Sequence, residues 1–350
     1  MSKTMDAQVL VDTEKLERKR LPVPDPGQSQ VRVRIVKTGI CGSDVTYFFV
    51  RGSIQPPRVL GHETCGYVDA VGPGVKGLAV GDRVVVNPVQ SDPKSPWTKI
   101  GLGNVDLSSV TGITYDGGFG EYCLSLDYYT YKLPAKVSFD QAVSIEPAAC
   151  GLYAIKNANI QKGATVAIVG PGPIGILMCQ MAKAMGAGKA VLIGTRDYRL
   201  KKASGADALI NTSDVNSKFY AKDPVEAVKN LNGGQLPRSV IVATNSKAGK
   251  ELGWKLGGGS STVVFFGLPV ADDRFTINEL EAMLLDKTLR WSWLSPNTWE
   301  GTIKLIEEGK LDVREIQTHH AGIADLEKYL RMQKAREGDC IKTIIEMSRE

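Results

Sequence analysis

Short apolar runs separated by glycine, proline and other turn residues fill the first ~145 positions of the chain. Three of these runs, QVRVRIV (30–36), GYVDAVG (66–72) and DRVVVNP (82–88), predict strands. The section 88–115 is polar and has few strand signals, which is typical of a long loop. The pattern therefore predicts an irregular, mainly β region in the N-terminal part of the chain.

The pattern changes near residue 147, where longer segments with helical periodicity begin. PAACGLYAIKNANI predicts a helix, and TVAIVGPGPIGILMCQMAKAMG (165–186) predicts a buried strand that runs into a long helix. Apolar strands then alternate with helical segments, a pattern that predicts an α/β fold with a parallel sheet. These strands are AVLIG (190–194), ALIN (208–211), SVIVAT (239–244) and STVVFFG (261–267). After LRWSWL (289–294), we expect helices around 298–309 and 323–335 and a last strand, IKTIIEM.

Composition narrows the possible classes of protein. A length of 350 residues suits about two domains, and 43% apolar with 23% charged residues is typical of a globular protein. The net charge of +5 is spread along the chain, which argues against a nucleic-acid partner. The N-terminus lacks an apolar leader and no run reaches the ~18 apolar residues of a membrane span. The six cysteines form no C-x-x-C pair, so we expect a cytoplasmic protein with free thiols.

A glycine-rich turn, GPGPIG, follows the strand TVAIV and opens the next helix. In that context it fits the dinucleotide-binding fingerprint, in which Gly170 allows a tight turn and Gly172 lets the backbone approach a pyrophosphate. Gly175 would let the helix pack closely on the sheet, and Pro173 and Ile174 complete the candidate cofactor-binding turn. A strand–helix turn without a ligand is the alternative.

The end of the second strand bears on which dinucleotide binds. NAD-binding units usually place an acidic residue there for the ribose 2′-hydroxyl. Here Gly194, Thr195 and Arg196 occupy this position and Arg199 follows. A glycine leaves room for a 2′-phosphate and an arginine can bind it, so the sequence favours NADP over NAD. Asp197 leaves NAD open, because it could supply the acidic contact if the strand runs longer.

Three residue types suited to zinc occur near two other glycine-rich segments. Cys41 lies in GICGSD (39–44), and His62 and Glu63 lie in GHETCG (61–66). One sulfur, one nitrogen and one oxygen ligand with an open fourth position is the pattern of catalytic zinc sites. From these residues alone, ordinary packing of a cysteine and a histidine remains an alternative.

The order of the motifs resembles that of the zinc-dependent medium-chain alcohol dehydrogenases along nearly the whole chain. GICGSD is followed by GHE, GDRV (81–84), DGGFGEY (116–122), EPAAC (146–150) and GPGPIG, and CGSDVTY (41–47) is most similar to the sorbitol and other polyol dehydrogenases. The resemblance implies a GroES-like β-rich catalytic domain at 1–149 and 292–350. It also implies a Rossmann domain, a doubly wound parallel sheet, at 150–291.

The resemblance assigns roles to individual residues. It implies that Cys41 and His62 bind the catalytic zinc, and that Glu63 is its third ligand or a close neighbour. Glu146 matches a carboxylate that binds zinc directly or through water, and its alternative is an acid that stabilises a helix N-terminus. Ser43 matches the hydroxyl that relays the substrate proton.

Further implications concern the substrate and the assembly. Tyr47 and Phe119 match residues that line the substrate pocket, and the substrate would be a small alcohol or carbonyl compound. Family members are usually dimers or tetramers joined through their Rossmann domains, so we expect a homodimer or homotetramer with contacts at 261–270 and 289–294.

Two departures from the family pattern alter these expectations. Residues 87–115 contain no cysteine, so the structural zinc of many relatives should be absent and one zinc per chain is expected. Leu294-Ser295-Pro296 replaces the arginine–tyrosine pair of sorbitol dehydrogenases. A dehydrogenase or reductase of aldoses, inositol or simple secondary alcohols is therefore an alternative. A zinc-free reductase or a dinucleotide sensor is disfavoured, because zinc-free relatives lack the Cys41 and GHE set.

Overall fold

The computed structural model describes residues 3–107, 109–269 and 273–347, so Val270, the last residue of one predicted oligomer contact, lies outside the described part. Its strands are β1 (Thr4–Asp12), β2 (Lys15–Pro22), β3 (Gln30–Gly39), β4 (Arg58–Val59), β5 (Glu63–Val71), β6 (Arg83–Val86), β7 (Val89–Gln90), β8 (Ser109–Val110), β9 (Tyr122–Leu126), β10 (Thr130–Lys132), β11 (Thr165–Val169), β12 (Lys189–Gly194), β13 (Ala208–Asn211), β14 (Ser239–Val242), β15 (Thr262–Phe265), β16 (Thr288–Trp291), β17 (Gln317–Gly322) and β18 (Lys342–Glu346).

The helices are mostly short, and the two longest, α4 and α5, lie on either side of β11 in the sequence. They are α1 (Gly42–Phe49), α2 (Pro96–Lys99), α3 (Phe139–Ala142), α4 (Ile145–Asn157), α5 (Pro173–Ala184), α6 (Asp197–Leu200), α7 (Pro224–Leu231), α8 (Lys247–Leu256), α9 (Glu279–Leu284), α10 (Trp299–Glu307) and α11 (Leu326–Ala335). Four 3-10 helices occupy Gly103–Val105, Asp127–Tyr129, Val313–Ile316 and Ile323–Asp325. None of the described helices is long and apolar enough to cross a membrane.

The chain forms two compact units. The first comprises residues 1–146, 299–307 and 317–350, and the second comprises 147–298 and 308–316. These bounds lie near the predicted ones at 149 and 291, but they return the short stretch 308–316 to the second unit. The exact domain division remains a prediction.

The first unit is mainly β and is organised around β3. On one edge β3 pairs antiparallel with β5, and along the other edge it pairs first with β9 and then with β18. The sheet order is β10-β6-β5-β3-β18-β17, and β2-β1-β4 forms a second sheet. β3 carries the apolar alternation seen in the sequence, and Val31, Val33 and Ile35 are buried in its core.

The β3–β5 ladder has an irregularity just before the metal-binding motifs. Ile35 is opposite Gly66, but Lys37 is opposite Cys65, so Val36 is an extra residue on β3. Past this bulge, Gly39 is opposite Glu63. The register therefore places the residues that follow β3 beside the residues that open β5.

The second unit contains a six-stranded sheet in which every neighbouring pair is parallel. Its order is β13-β12-β11-β14-β15-β16. Numbered within the unit this is 3-2-1-4-5-6, the strand order of dinucleotide-binding folds. All five residues of β11 are buried, as expected for a central strand covered on both faces. The predicted combination of a GroES-like β-rich domain and a Rossmann α/β domain is confirmed at the level of fold class.

Candidate metal centre and cofactor site

Cys41 and Ser43 lie where β3 turns into α1. Cys41 is the N-cap of the helix, and its backbone N–H donates a 2.9 Å hydrogen bond to the carboxylate of Asp44. Asp44 is fully buried and also accepts a 3.3 Å hydrogen bond from the backbone N–H of Gly61. One carboxylate thus ties the segment that carries Cys41 to the segment that carries His62.

His62 and Glu63 stand at the start of β5, directly across the ladder from the end of β3. The ligand atoms of Cys41, His62 and Glu63 all lie within 4.8 Å of one another. Of the described residues, these three form the compact group of metal-binding types, and both His62 and Glu63 are buried. The structure therefore brings together the three residues that the sequence predicted as a zinc site.

The surroundings of His62 are strongly polar. Its Nε2 lies 3.3 Å from the hydroxyl of Ser43, and its Nδ1 lies 3.4 Å from Asp44 Oδ1 without making a hydrogen bond. Burial lowers the pKa of His62, but the negative charges of Asp44 and Cys41 outweigh it and hold the pKa well above the usual value. An environment that stabilises a cation on the imidazole would also stabilise a metal cation beside it.

Lys342 completes the group and was missed in the sequence. It comes from β18, and its Nζ donates hydrogen bonds of 2.6 and 2.8 Å to the two carboxylate oxygens of Glu63 and one of 3.0 Å to the Ile40 carbonyl. Burial lowers the pKa of Lys342, but the charge of Glu63 raises it above the usual value. The only sequence signal was a lysine inside the apolar strand IKTIIEM.

The donor set fits a zinc ion. A thiol, an imidazole and a carboxylate in one buried cluster are the ligand types of catalytic zinc sites, and His62 Nδ1 is a buried nitrogen without a hydrogen-bond partner among the described residues. Glu63 already accepts two hydrogen bonds, yet a carboxylate offers about four lone-pair positions and can serve Lys342 and a metal together.

The other predicted residues of this unit lie at different depths. Tyr47 is half-buried on α1, where burial and the charge of Asp44 raise its pKa against the opposing charge of His62. Phe119 is only 1% exposed and belongs to the same core cluster as Ile40, so its predicted contact with substrate remains a prediction. Glu146 is buried on α4 and acts electrostatically on Lys342, but it does not belong to the compact group.

The glycine-rich turn of the second unit has the shape expected for a dinucleotide site. Gly170 has a φ of +113°, which side chains rarely adopt, and Gly172 is the N-cap of the 12-residue helix α5. A β-carbon on Gly172 would meet no atom within 4 Å, whereas one on Gly175 would collide with the Gly170 carbonyl oxygen. Free backbone at a helix N-terminus fits a pyrophosphate. Pro173 and Ile174 form the first turn of this helix.

At the end of β12, the side chains predicted to contact the ribose differ in the partners that they already have within the protein. Asp197 Oδ1 accepts hydrogen bonds of 2.7 Å from Asn211 and 2.6 Å from Ser217. Thr195 is exposed, and Arg196 makes no side-chain hydrogen bond or ion pair with the described residues. The guanidinium of Arg199 donates a 2.8 Å hydrogen bond to the hydroxyl of Tyr198.

Comparison with known proteins identifies the family of the chain. A family model described as "Alcohol dehydrogenase GroES-like domain" matches residues 27–135, and one described as "Zinc-binding dehydrogenase" matches 173–308. The sorbitol dehydrogenase of Pongo abelii is 31% identical over 317 residues, which cover 87% of this chain and 85% of that protein. The chain belongs to the zinc-dependent medium-chain alcohol and polyol dehydrogenases.

Two solved structures have the same fold as this dehydrogenase. An alcohol dehydrogenase of Escherichia coli CFT073, in complex with NADH, has a TM-score of 0.89 and 28% identity and covers 99% of this chain and 100% of its own. A protein of Sinorhizobium meliloti 1021 bound to NADP has a TM-score of 0.90 and 24% identity with the same coverage. The chain is thus an alcohol or polyol oxidoreductase that uses zinc and a nicotinamide dinucleotide.

In this dehydrogenase the lobe at 87–115 is held by polar side chains. Gln90 is only 2% exposed, and its amide donates hydrogen bonds of 3.4 Å to Thr111 and 3.3 Å to Ser125. Ser91 donates a 2.6 Å hydrogen bond to the Gly103 carbonyl. These contacts cross-link the lobe at the place where the resemblance led us to expect no metal.

Proposed function

We propose that this dehydrogenase transfers hydride between NADP(H) and the carbinol or carbonyl carbon of a polyol or secondary alcohol, with one zinc per chain. The compact group of Cys41, His62 and Glu63 is the observation that carries the proposal for the chemistry. The hydrogen bonds that Asp197 Oδ1 accepts from Asn211 and Ser217 support the choice of NADP, because they orient this carboxylate towards protein groups. The absence of cysteine from 87–115 supports a single zinc.

Each residue of the group has a part that follows from its contacts. When bound, zinc supplies a Lewis acid for the substrate oxygen and the nicotinamide supplies or accepts the hydride. Cys41, His62 and Glu63 would hold the metal, and Lys342 orients the Glu63 carboxylate through two hydrogen bonds. The Ser43 hydroxyl can hold and pass on the substrate proton. Glu146 remains a proposed additional ligand.

The preference for NADP follows from which groups can reach the ribose. Asp197 Oδ1 accepts hydrogen bonds from Asn211 and Ser217, and Lys201 Nζ lies 3.7 Å from Asp197 Oδ2. These groups compete with a ribose 2′-hydroxyl for the carboxylate. The Arg196 side chain makes no hydrogen bond or ion pair with the described residues, which leaves its guanidinium available for a 2′-phosphate. A charge-assisted hydrogen bond of this kind contributes about 1.5–3 kcal/mol, or roughly ten- to 100-fold in affinity.

Titration of the purified protein with NADPH and NADH, with zinc counted on the same sample, tests this proposal. We expect tighter binding of NADPH and one zinc per chain. Equal or tighter binding of NADH would overturn the cofactor assignment. A zinc-free protein that retains full alcohol dehydrogenase activity would overturn the assignment of the metal group.

A simple secondary alcohol or its ketone is the second candidate substrate. Leu294-Ser295-Pro296 offers no charged side chain, and Ser295 is buried with its carbonyl accepting a 3.0 Å hydrogen bond from Thr298. This segment lacks the guanidinium and phenol of the arginine–tyrosine pair that would clamp a sugar alcohol. Comparing kcat/KM across hexitols, aldoses, inositol and small secondary alcohols separates the candidates.

The proposal includes a homodimer or homotetramer formed through the second unit. Met283 and Leu284 of α9 are 79% and 76% exposed, and Trp291 at the end of the edge strand β16 is 67% exposed. Glu281 of the same helix instead accepts a 2.6 Å hydrogen bond from the buried Lys287. An exposed apolar helix face and an exposed tryptophan on an edge strand suit association with a second copy. A cytoplasmic location is also proposed, supported by six free cysteines.

A further inference from the structure

The glycine-rich turn and the end of the second strand are in direct contact. β11 and β12 are parallel neighbours in which Val169 is opposite Ile193. The Gly170 N–H continues this pairing with a 2.8 Å hydrogen bond to the Ile193 carbonyl. The next residues, Pro171 and Gly194, therefore lie side by side where both strands end.

No side chain fits at position 194 next to this proline. A β-carbon built on Gly194 would lie closer than 3.0 Å to both Cγ and Cδ of Pro171, which real β-carbons essentially never do. On its other side it would be 3.4 Å from Leu200 Cδ2, in ordinary contact. The space that a side chain at position 194 would occupy is thus filled by the proline ring, so this contact explains why the position needs a glycine.

The proline ring cannot yield without moving the phosphate-binding turn. A flexible side chain would rotate away, but the pyrrolidine ring is fused to the backbone and fixes its φ. The same turn is confined from the other side, because Gly175 packs against the Gly170 carbonyl oxygen. Any side chain at position 194 would therefore displace the backbone at 170–172, where the pyrophosphate is expected to bind.

We propose that Pro171 is a specificity-determining residue that closes the end of β12 to any side chain. Position 194 is where an acidic residue for the ribose of NAD would otherwise stand. With the proline in place, an acidic residue there would disturb the turn and weaken both cofactors. Choice of cofactor is then coupled between residues 171 and 194. This inference rests on the proposed use of NADP(H).

A double-mutant cycle on purified full-length protein tests the coupling. The variants are Gly194→Ala, Pro171→Ala and the pair, with NADPH and NADH dissociation constants and the thermal unfolding midpoint measured for each. We expect Gly194→Ala to weaken the binding of both cofactors about tenfold or more, which is the usual effect of overpacking a rigid contact. The double variant should recover most of this lost affinity. Additive effects, or a change in the unfolding midpoint with unchanged dissociation constants, would overturn the proposal.

An acidic variant tests the consequence for specificity. Gly194→Asp alone should weaken both cofactors, whereas Pro171→Ala combined with Gly194→Asp should bind NADH more tightly than NADPH. Equal NADH affinities of these two variants would refute the role of Pro171. If the unmodified protein prefers NADH, the cofactor proposal fails, while the alanine cycle still decides whether Pro171 closes position 194. If Gly194→Ala does not fold, failure of the added Pro171→Ala to restore cofactor binding refutes it.

Discussion

Replacement of Lys342 by methionine should destabilise the zinc-free protein strongly and make zinc binding more stabilising. The Lys342 side chain is 4% exposed and that of Glu63 is fully buried. At an effective dielectric constant of ~20, charges as close as these attract by about 6 kcal/mol before desolvation. Removing one member of a buried pair typically costs about 3–5 kcal/mol, because the other charge is left without compensation.

Zinc should offset much of this loss. In the unmodified protein Lys342 already pairs with Glu63, so a bound zinc ion stabilises the fold less than it does in the variant. Stabilisation by a ligand grows with its affinity for the folded state, so the zinc-induced rise in unfolding free energy should be larger for Lys342→Met. The assay is urea unfolding of chelator-treated protein with and without added zinc, together with zinc affinity measured by chelator competition.

Lys37→Met is the matched control. Lys37 is also a largely buried strand lysine, but its partners Asp140 and Glu346 have half-exposed carboxylates. Its loss should cost about 1 kcal/mol or less and should leave the effect of zinc unchanged. If the zinc-free Lys342→Met protein is as stable as the control, or if zinc stabilises it less than the unmodified protein, the reasoning is wrong.

Three further predictions concern the cofactor, the lobe and the assembly. Arg196→Ala should weaken NADPH binding about ten- to 100-fold with little effect on NADH binding, and Asp197→Asn should keep the preference for NADPH. If the same titrations show the reverse, Asp197 is the ribose contact. Gln90→Leu should speed proteolysis within 91–110, whereas treating the unmodified protein with a chelator should not. Mass spectrometry identifies the fragments, and protection that depends on metal would indicate a second zinc. Met283→Glu should reduce the mass measured by light scattering, whereas Val215→Glu, at another exposed apolar site, should not. An unchanged mass for Met283→Glu would place the interface elsewhere.

The Rossmann unit could be predicted because its signals are local. The buried strand 165–169, the glycine turn and the helix that follows are contiguous in sequence, and their order fixes a parallel arrangement. The hairpin of β1 and β2 was not predicted. Every residue of β2 is at least partly exposed and most are charged, so it lacks the buried alternation that identifies a strand.

The metal group was only partly predictable. Cys41, His62 and Glu63 stood out by residue type and motif, but Lys342 is 279 positions from Glu63, and only the pairing of β18 with β3 brings it there. Pro171 and Gly194 were likewise read separately, since a clash between adjacent strand ends depends on atomic positions. Residue type therefore identified the chemistry, and three-dimensional contact identified what supports and restricts it.

The extra residue at Val36 has a consequence for how this enzyme can diverge in sequence. Main-chain pairing from the bulge to Gly39 sets where Cys41 stands relative to His62, so side chains on these strands can vary without moving the metal group. Loss or gain of one residue between Val36 and Cys41 would instead turn the later side chains of β3 to the opposite face of the sheet and shift Cys41 relative to His62. Insertions and deletions should therefore be tolerated in the surface loops but should disrupt the metal group when they fall between Val36 and Cys41.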